Sequence, residues 1–504
     1  MSFSFAFPEP PAPPAPLAHL LASSAPLGLE YSLAVSYIDE LESQIGLLDE
    51  TIASLQLRRA DLLQSVKVHR AALSPIRRLP PEILGEIFSL VVRATFHSYT
   101  AEKTPLTKHA PWLFTRVCRY WSAVALSNSA LWSTILRDHD HTEKNPGALP
   151  LTKLCLERSG NVPLNVTIYQ EMGVSDPHLV VFDTVLASST RWGRVKLHVL
   201  SDFSWTYALL QQLTSNHRGF SALTTLLMSV DMSLPPGLSF DDGLWNVFAI
   251  APQLRTLQAH CWDQHHLIRP PFSLPWHQLT RVSATFTTNT EALSVFRNMS
   301  NIVQCWFIFV ENELLPTHYS TIRLPHLRSL ALQIQIELSG GPVETLGKHT
   351  SLLDFLETPC LHSLTTDGTA DEEAVLGLIT RSDCSASLAS FHFRTSIHHD
   401  SLLHLLQRMP HLTSLKLENF DGTLLPRSSV PVFVQAFSSQ WLDTAQEIHL
   451  DHRQVLHVRI VDEQWDEQDA CDMTRQLVSN QEHGLFITVS AIPDFLDIFC
   501  ADFD

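Results

Sequence analysis

From Ile38 to Val66 apolar residues recur on alternating steps of three and four: Ile38, Leu41, Ile45, Leu48, Ile52, Leu55, Leu62 and Val66, with Leu73 one further step on. Arg59 and His69 interrupt the row, and no proline occurs between Pro26 and Pro75. That spacing predicts one helix of about 40 residues with a heptad seam, which a lone helix cannot bury. Its partner is either a second copy of this chain, giving a homodimer, or a helix of the same chain. The e positions (Glu42, Asp49, Gln56, Leu63, Arg70) offer little opposite-charge pairing, so they specify the partner weakly.

The pattern then shortens. Pro80 and Pro81 fit a helix's first turn, where a missing N–H costs nothing, and Glu82 sits at the positive end of the dipole. Ile83, Leu84, Ile87, Phe88, Val91 and Val92 follow as a broad apolar stripe. In a second segment Leu113, Val117, Trp121 and Val124 fall on one helical face, with Phe114, Cys118 and Ala125 beside them. So few short helices make a poor domain alone. They pack on the rest of the chain or are covered by another protein.

From Leu151 onward the template apolar-x-x-apolar-x-apolar recurs. It reads "LTKLCL" at Leu151, "WGRVKL" at Trp192, "LTTLLM" at Leu223, "LRTLQA" at Leu254 and "LTRVSA" at Leu279. It continues as "IVQCWF" at Ile302, "LRSLAL" at Leu327, "LHSLTT" at Leu361, "LASFHF" at Leu388, "LTSLKL" at Leu412 and "AQEIHL" at Ala445. Between Leu223 and Leu412 the steps are 31, 25, 23, 25, 34, 27 and 24 residues, close to the spacing of leucine-rich repeats. Several units follow a proline ("APQLRTL", "LPHLRSL", "TPCLHSL", "MPHLTSL"), and helical patterns such as "VETLGKHTSLLDFLET" and "HDSLLHLLQRM" lie between them. The asparagine that seals a regular turn is missing at most units. The expectation is an irregular stack of strand, turn and helix.

Composition narrows the function. A length of 504 residues exceeds one compact core, and 45% hydrophobic content suits a folded chain. The net charge of −18 argues against nucleic acid as a general partner. Residues 1–149 hold 13 Lys and Arg against 14 Asp and Glu, which leaves −17 for the rest. A target with a basic face is therefore favoured in long-range encounter. Arg58 to Arg119 contains 11 basic and 4 acidic residues, a band open to an acidic partner or to solvent alone. "PEPPAPPAP" prefers extended polyproline geometry and reads as a tether or, less simply, an SH3-type ligand. No basic n-region or long apolar run marks a secretory signal or a membrane span, so a cytoplasmic or nuclear protein is expected.

The eight cysteines are scattered without a CxxC pair, which suits neither a disulfide framework nor a zinc site. "RDHDHTE" (Asp138, His139, Asp140, His141, Glu143) and "SIHHD" (His398, His399, Asp400) carry ligand-type residues without a completing set. "VDEQWDEQDACD" (Val461 to Asp472) lacks the glycine and spacing of a calcium loop. Glycine-rich phosphate loops, GxSxG and HExxH are absent. Neither metal, cofactor nor catalytic residue is expected.

Taken together, "LSPIRRLPPEILGEIF" and "VCRYWSAVALSNSALWSTI" resemble an F-box of the basidiomycete type, in which a coiled-coil segment precedes the box and an irregular leucine-rich tail follows it. The resemblance covers Leu73 to Ile135. It rests on the Leu-Pro pair that opens a helix, the Ile-Leu and Ile-Phe steps, and Val-Cys-x-x-Trp. It implies docking onto the SKP-type adaptor of a cullin–RING ubiquitin ligase. Leu79, Pro80, Ile83, Leu84, Ile87 and Phe88 would form the first contact helix; Val117, Cys118 and Trp121 would continue the packed core and its adaptor-facing edge. The expected architecture is α+β and multi-segment: an arm over 1–30, a coiled-coil-type helix over 31–72, the F-box over 73–135, a linker over 136–150 and a leucine-rich-repeat-like solenoid over 151–504. Two functions follow, a subunit that recruits a protein target to the ligase, or a coiled-coil, leucine-rich scaffold outside ubiquitination.

Overall fold

The first described element is one long helix, α1 (Gly28–Ala72), 45 residues and about 67 Å from end to end. The computed structural model describes residues 28–97, 111–138, 148–170, 180–199, 211–215, 219–230, 247–261, 274–286, 288–309, 320–334, 351–366, 372–393, 404–405, 408–409, 411–419, 456–462 and 485–490. The chain divides into two units, 1–84 and 85–504. Along α1 every seam residue but Leu41 is exposed, and Leu41 is only half-buried. Leu47, Leu57, Leu63 and Val68, off the seam, are exposed as well. Polar side chains turn back onto the helix: Thr51 Oγ1 donates to Leu47 O at 2.8 Å, and His69 Nδ1 lies 2.7 Å from Ser65 O.

A single 3-10 turn, Pro75–Arg78, leads to α2 (Pro81–His97). Pro81 is its first residue, Glu82 lies in its first turn, and the Pro80 carbonyl accepts from Leu84 N at 3.0 Å. The second apolar segment departs from the expected single helical face. It forms two helices, α3 (Phe114–Val117) and α4 (Arg119–Ser127), split at Cys118, whose backbone is extended (φ −163°, ψ 168°). The Cys118 thiol takes the Trp121 N–H at 3.5 Å and so caps α4 in the place a serine would.

Residues 136–150, expected as a linker, contain the end of a strand, β1 (Thr134–Asp138), and the start of a helix, α5 (Ala148–Arg158). α5 also absorbs "LTKLCL", which was expected to open a strand. Leu151, Leu154 and Cys155 fit helical spacing equally well, and Pro150 sits in the first turn, where helices accept it.

The remaining described strands are β2 (Leu164–Gln170), β3 (Trp192–Val199), β4 (Thr225–Val230), β5 (Thr256–Cys261), β6 (Arg281–Phe286), β7 (Gln304–Phe309), β8 (Ile322–Arg323), β9 (Ser329–Ile334), β10 (Leu356–Glu357), β11 (Ser363–Thr366), β12 (Ser390–Phe393), β13 (Ser414–Asn419), β14 (Leu456–Asp462) and β15 (Leu485–Ser490). β8 and β10 form a separate parallel pair, with Arg323 Nε 3.3 Å from Glu357 Oε1. The other thirteen described strands make one open, wholly parallel sheet whose spatial order is their chain order, from β1 at one edge to β15 at the other. Parallel neighbours need a crossover between them, and the long interstrand segments supply it.

Nine of the template stretches, from Trp192 to Leu412, open a strand, eight of them at the third residue and "WGRVKL" at its first. Their fourth positions stand in one register row: Val195, Leu226, Leu257, Val282, Cys305, Leu330, Leu364, Phe391 and Leu415. All nine are buried, as are all nine first positions. The N–H of most first positions closes a turn onto a carbonyl three residues earlier, as Leu254 does onto Ala251 (3.2 Å) and Leu327 onto Leu324 (3.3 Å). The second-position carbonyl then accepts two consecutive N–H groups of the next stretch. Thr280 O, for example, takes Val303 N at 2.8 Å and Gln304 N at 3.0 Å. Nothing in the template marks β1, β2, β14 or β15. "AQEIHL" lies outside the described residues, as do most of "HDSLLHLLQRM" and the first half of "VETLGKHTSLLDFLET". The second half of that last stretch forms a 3-10 turn, Leu352–Phe355, and β10 rather than a helix; a Ser351–Asp354 capping box starts the turn.

One apolar core runs from Ile135 to Leu417 beneath the sheet. The helices α6 (Val180–Leu186), α7 (Asn289–Phe296) and α8 (Glu372–Ser382) contribute their apolar sides to it. Arginines tie helix to turn: Arg381 Nε donates to Leu356 O at 2.8 Å, and Arg191 donates to Ser159 Oγ at 2.7 Å and Val162 O at 3.0 Å.

Candidate functional site

Between residues 88 and 132 aromatic rings do the packing. Phe88 of α2 stacks on Phe114 of α3 with centroids 4.0 Å apart and planes 9° from parallel. Trp121 of α4 meets Phe88 edge-on at 5.0 Å. Val124 and Ala125 are buried, and Gly85 lets α2 approach α4: a Cβ there would stand 3.4 Å from the Asn128 amide and 3.9 Å from Val124. Such pairs of rings add to the area they bury, by about 0.5–1.5 kcal/mol each.

A second ring pair anchors this segment to the sheet. Trp132 is wholly buried, donates Nε1–H to Ala125 O at 2.8 Å, and meets Trp112 edge-on at 4.9 Å. The Arg158 guanidinium, at the end of α5, lies 4.3 Å from the Trp132 centroid and 5.3 Å from that of Trp112. The cation thus rests on two rings at the entry to the sheet. Trp112, Trp132 and Arg158 were not anticipated as a cluster. The only sequence signal was the density of aromatic residues from Trp112 to Trp132.

The sheet face opposite the core row carries a polar cluster. His260 Nε2 lies 3.0 Å from Ser283 Oγ, and His260 Nδ1 lies 3.2 Å from Thr285 Oγ1. The Trp306 ring stands 6.1 Å away. Burial pushes the imidazole pKa down to about 4, so it is neutral at pH 7. A serine beside a histidine invites comparison with a nucleophile and its base. Here the second ring nitrogen meets a hydroxyl rather than an orienting carboxylate, and Ser283 is wholly buried. The pair ties β5 to β6.

No protein-family model and no curated protein matches this chain.

The residues singled out in 73–135 separate into buried, exposed and half-buried groups. Leu84 and Phe88 are buried (0% and 1% exposed) and are committed to the chain's own packing. Ile83, Ile87 and Val117 are open to solvent at 50%, 37% and 55%. Pro80 is exposed, and Leu79, Cys118 and Trp121 are half-buried. Leu90, Val91, Leu113, Tyr120 and Leu126 are further exposed apolar or aromatic side chains of these helices. Trp121 uses its ring on Phe88 and Phe114, and Cys118 uses its sulfur as a cap, so both shape the surface more than they offer it. Among the described residues no group of three or more His, Cys, Asp or Glu side chains could hold a metal ion, and no helix is long and apolar enough to cross a membrane. His139, His141, His398 and His399, and most of "VDEQWDEQDACD", lie outside the described residues.

Proposed function

We propose that this chain is an F-box-type subunit that recruits a protein target to an SCF-type cullin–RING ubiquitin ligase in the cytoplasm or nucleus. The observation that carries the reading is the division of labour along α2. Leu84 and Phe88 are spent inside the chain, while Ile83 and Ile87, on the same helix, are left in water. A helix that pairs a filled inner face with large uncovered apolar side chains is built for a protein partner. The SKP-type adaptor is that partner, held along α2 by Ile83 and Ile87, with Leu79 and Pro80 just before its start and Val117 of α3 as a further contact. Leu84, Phe88, Cys118 and Trp121 act by holding the docking residues in place.

Residues 151–504 read as the irregular leucine-rich-repeat-like solenoid that holds the target. The support is that strand order follows chain order and that nine template stretches stand in one register row. The chain itself performs no chemistry. It raises the local concentration of an acceptor lysine near the ligase's charged ubiquitin carrier. The uncovered seam of α1 pairs with a second copy of the chain.

The test is adaptor co-purification with Ile83→Asp combined with Ile87→Asp. Both side chains are exposed, so the variant keeps its helical circular dichroism. Removing a large apolar side chain from the centre of an interface costs roughly 2 kcal/mol, so adaptor binding by the double variant should disappear. Undiminished adaptor recovery would leave the scaffold reading in its place.

A further inference from the structure

The strand-opening edge of the sheet carries a feature that runs against the charge of the tail. A groove of 630 Å³ spans the starts of β5, β6, β7 and β9. Arg255, Thr280 and Arg328 line it at the template's second position, and Gln278, Asn301 and His326 line it one residue before each first position. Neither a carboxylate nor a Phe, Tyr or Trp ring is part of the lining. Most of the tail's net negative charge lies elsewhere in the sequence: residues 420–504 hold 15 Asp and Glu against 4 Lys and Arg.

We propose that this groove binds an extended acidic peptide, with one carboxylate on Arg255 and a second on Arg328. Both guanidinium-bearing residues are exposed, and among the described residues neither forms a salt bridge. Arg255 Nη1 is held by Leu254 O at 3.0 Å, which orients the fork while leaving most of its five donors for a ligand. The backbones beneath are fixed, because Arg255 O accepts from Thr280 N (2.8 Å) and Arg281 N (3.1 Å), and Val303 O from Arg328 N (2.8 Å) and Ser329 N (3.1 Å). Arg255 and Arg328 stand three strand steps apart, about 14 Å at the usual spacing between strands. An extended peptide covers that distance in about four residues, so the ligand carries acids at i and i+4. The amides suit a peptide backbone. Gln278 Nε2 donates to Ala251 O and Asn301 Nδ2 to His277 O, both at 2.7 Å, which orients each amide and leaves its oxygen to accept a peptide N–H. A single-stranded nucleic acid would want aromatic platforms, which this lining lacks.

The proposal rests on residues 151–504 being the part that holds a target; it does not depend on adaptor docking. The test is fluorescence anisotropy on the full chain. The probe is a labelled nonapeptide with two glutamates four residues apart. Comparison probes carry adjacent glutamates, two lysines in place of the glutamates, or a ten-nucleotide oligo-dA. The spaced acidic peptide should bind best, and Arg255→Glu with Arg328→Glu should weaken it roughly 10-fold or more. Raising salt from about 50 to about 300 mM should weaken it too. Cys360, an exposed thiol in the same lining, should be alkylated more slowly when the peptide is bound, read by peptide mass spectrometry. Equal binding by the variant, equal binding of the lysine peptide or of oligo-dA, or no binding of the acidic peptide would each overturn the proposal. If the acidic peptide fails while residues 151–504 still retain protein targets, the groove is wrong and the target-holding reading survives; if both fail, both are wrong.

Discussion

Replacing His260 by Gln asks how much a neutral, buried imidazole makes stability depend on pH. In the folded chain its pKa is about 4, lowered by burial; a histidine in an unfolded chain titrates near 6.5. Between those values the unfolded state binds a proton that the folded state refuses. Stability from this group is therefore complete above about pH 6.5 and is lost as pH falls toward 4. At about pH 5 the loss comes to roughly 2 kcal/mol by that linkage. Gln keeps a donor and an acceptor for Ser283 and Thr285 but cannot titrate. A chain of this length does not unfold in one step, so the assay is native-state hydrogen exchange of β5 and β6 amides in urea. Wild type and variant are compared at the same pH. At about pH 7.5 the variant should be the weaker by roughly 1 kcal/mol, the worth of an imperfectly replaced hydrogen bond. By about pH 5 the difference should have shifted by roughly 2 kcal/mol in the variant's favour and changed sign. Parallel curves for the two proteins across that range would refute the reasoning.

Gly193 is the extra residue where β3 skips against β2, between the pairs Leu164↔Trp192 and Asn165↔Arg194. A Cβ there would stand 2.9 Å from Cβ of Pro163, a rigid ring, so Gly193→Ala should cost about 1–3 kcal/mol and expose β2 amides to exchange first. If α1 pairs with a second copy of the chain as proposed, Ile45→Asp with Ile52→Asp, which places two charges on its seam, should convert dimer to monomer by light scattering and leave recovery of the proposed adaptor unchanged. A wild-type chain already monomeric at micromolar concentration would show that α1 pairs in another way.

The long helix and nine strand starts were legible because their signals are periodic. A heptad read over some 30 residues, or a buried leucine, valine or phenylalanine at the fourth place of a short template, survives any uncertainty in a single residue. What escaped was local. "LTKLCL" satisfies both a strand-opening template and a helical face, and only its neighbours, Pro150 in a first turn and Arg158 resting on two tryptophans, decide for the helix. The break at Cys118 was hidden because cysteine is a poor cap on paper, yet its sulfur meets the Trp121 N–H. β2 carried its own signal: Leu164, Val166 and Ile168 alternate cleanly and are all buried, but they do not fit the template that dominates the rest. On α2 the stripe told which residues were apolar, and not that Leu84 turns in while Ile83 stays out. A stripe that broad wraps past the buried side of its helix.

The paired bonds onto each second-position carbonyl make every strand start answer to the strand just before it, and to nothing farther back. A chain built this way sets its origin anew at each turn. Extra or missing residues between two turns alter only a detour, which is why detours of 23 and 34 residues can serve neighbouring parts of one unbroken sheet. For a lineage exploring new surfaces, that is freedom to lengthen, shorten or recolour the excursions one at a time, with the penalty of each experiment confined to where it is made.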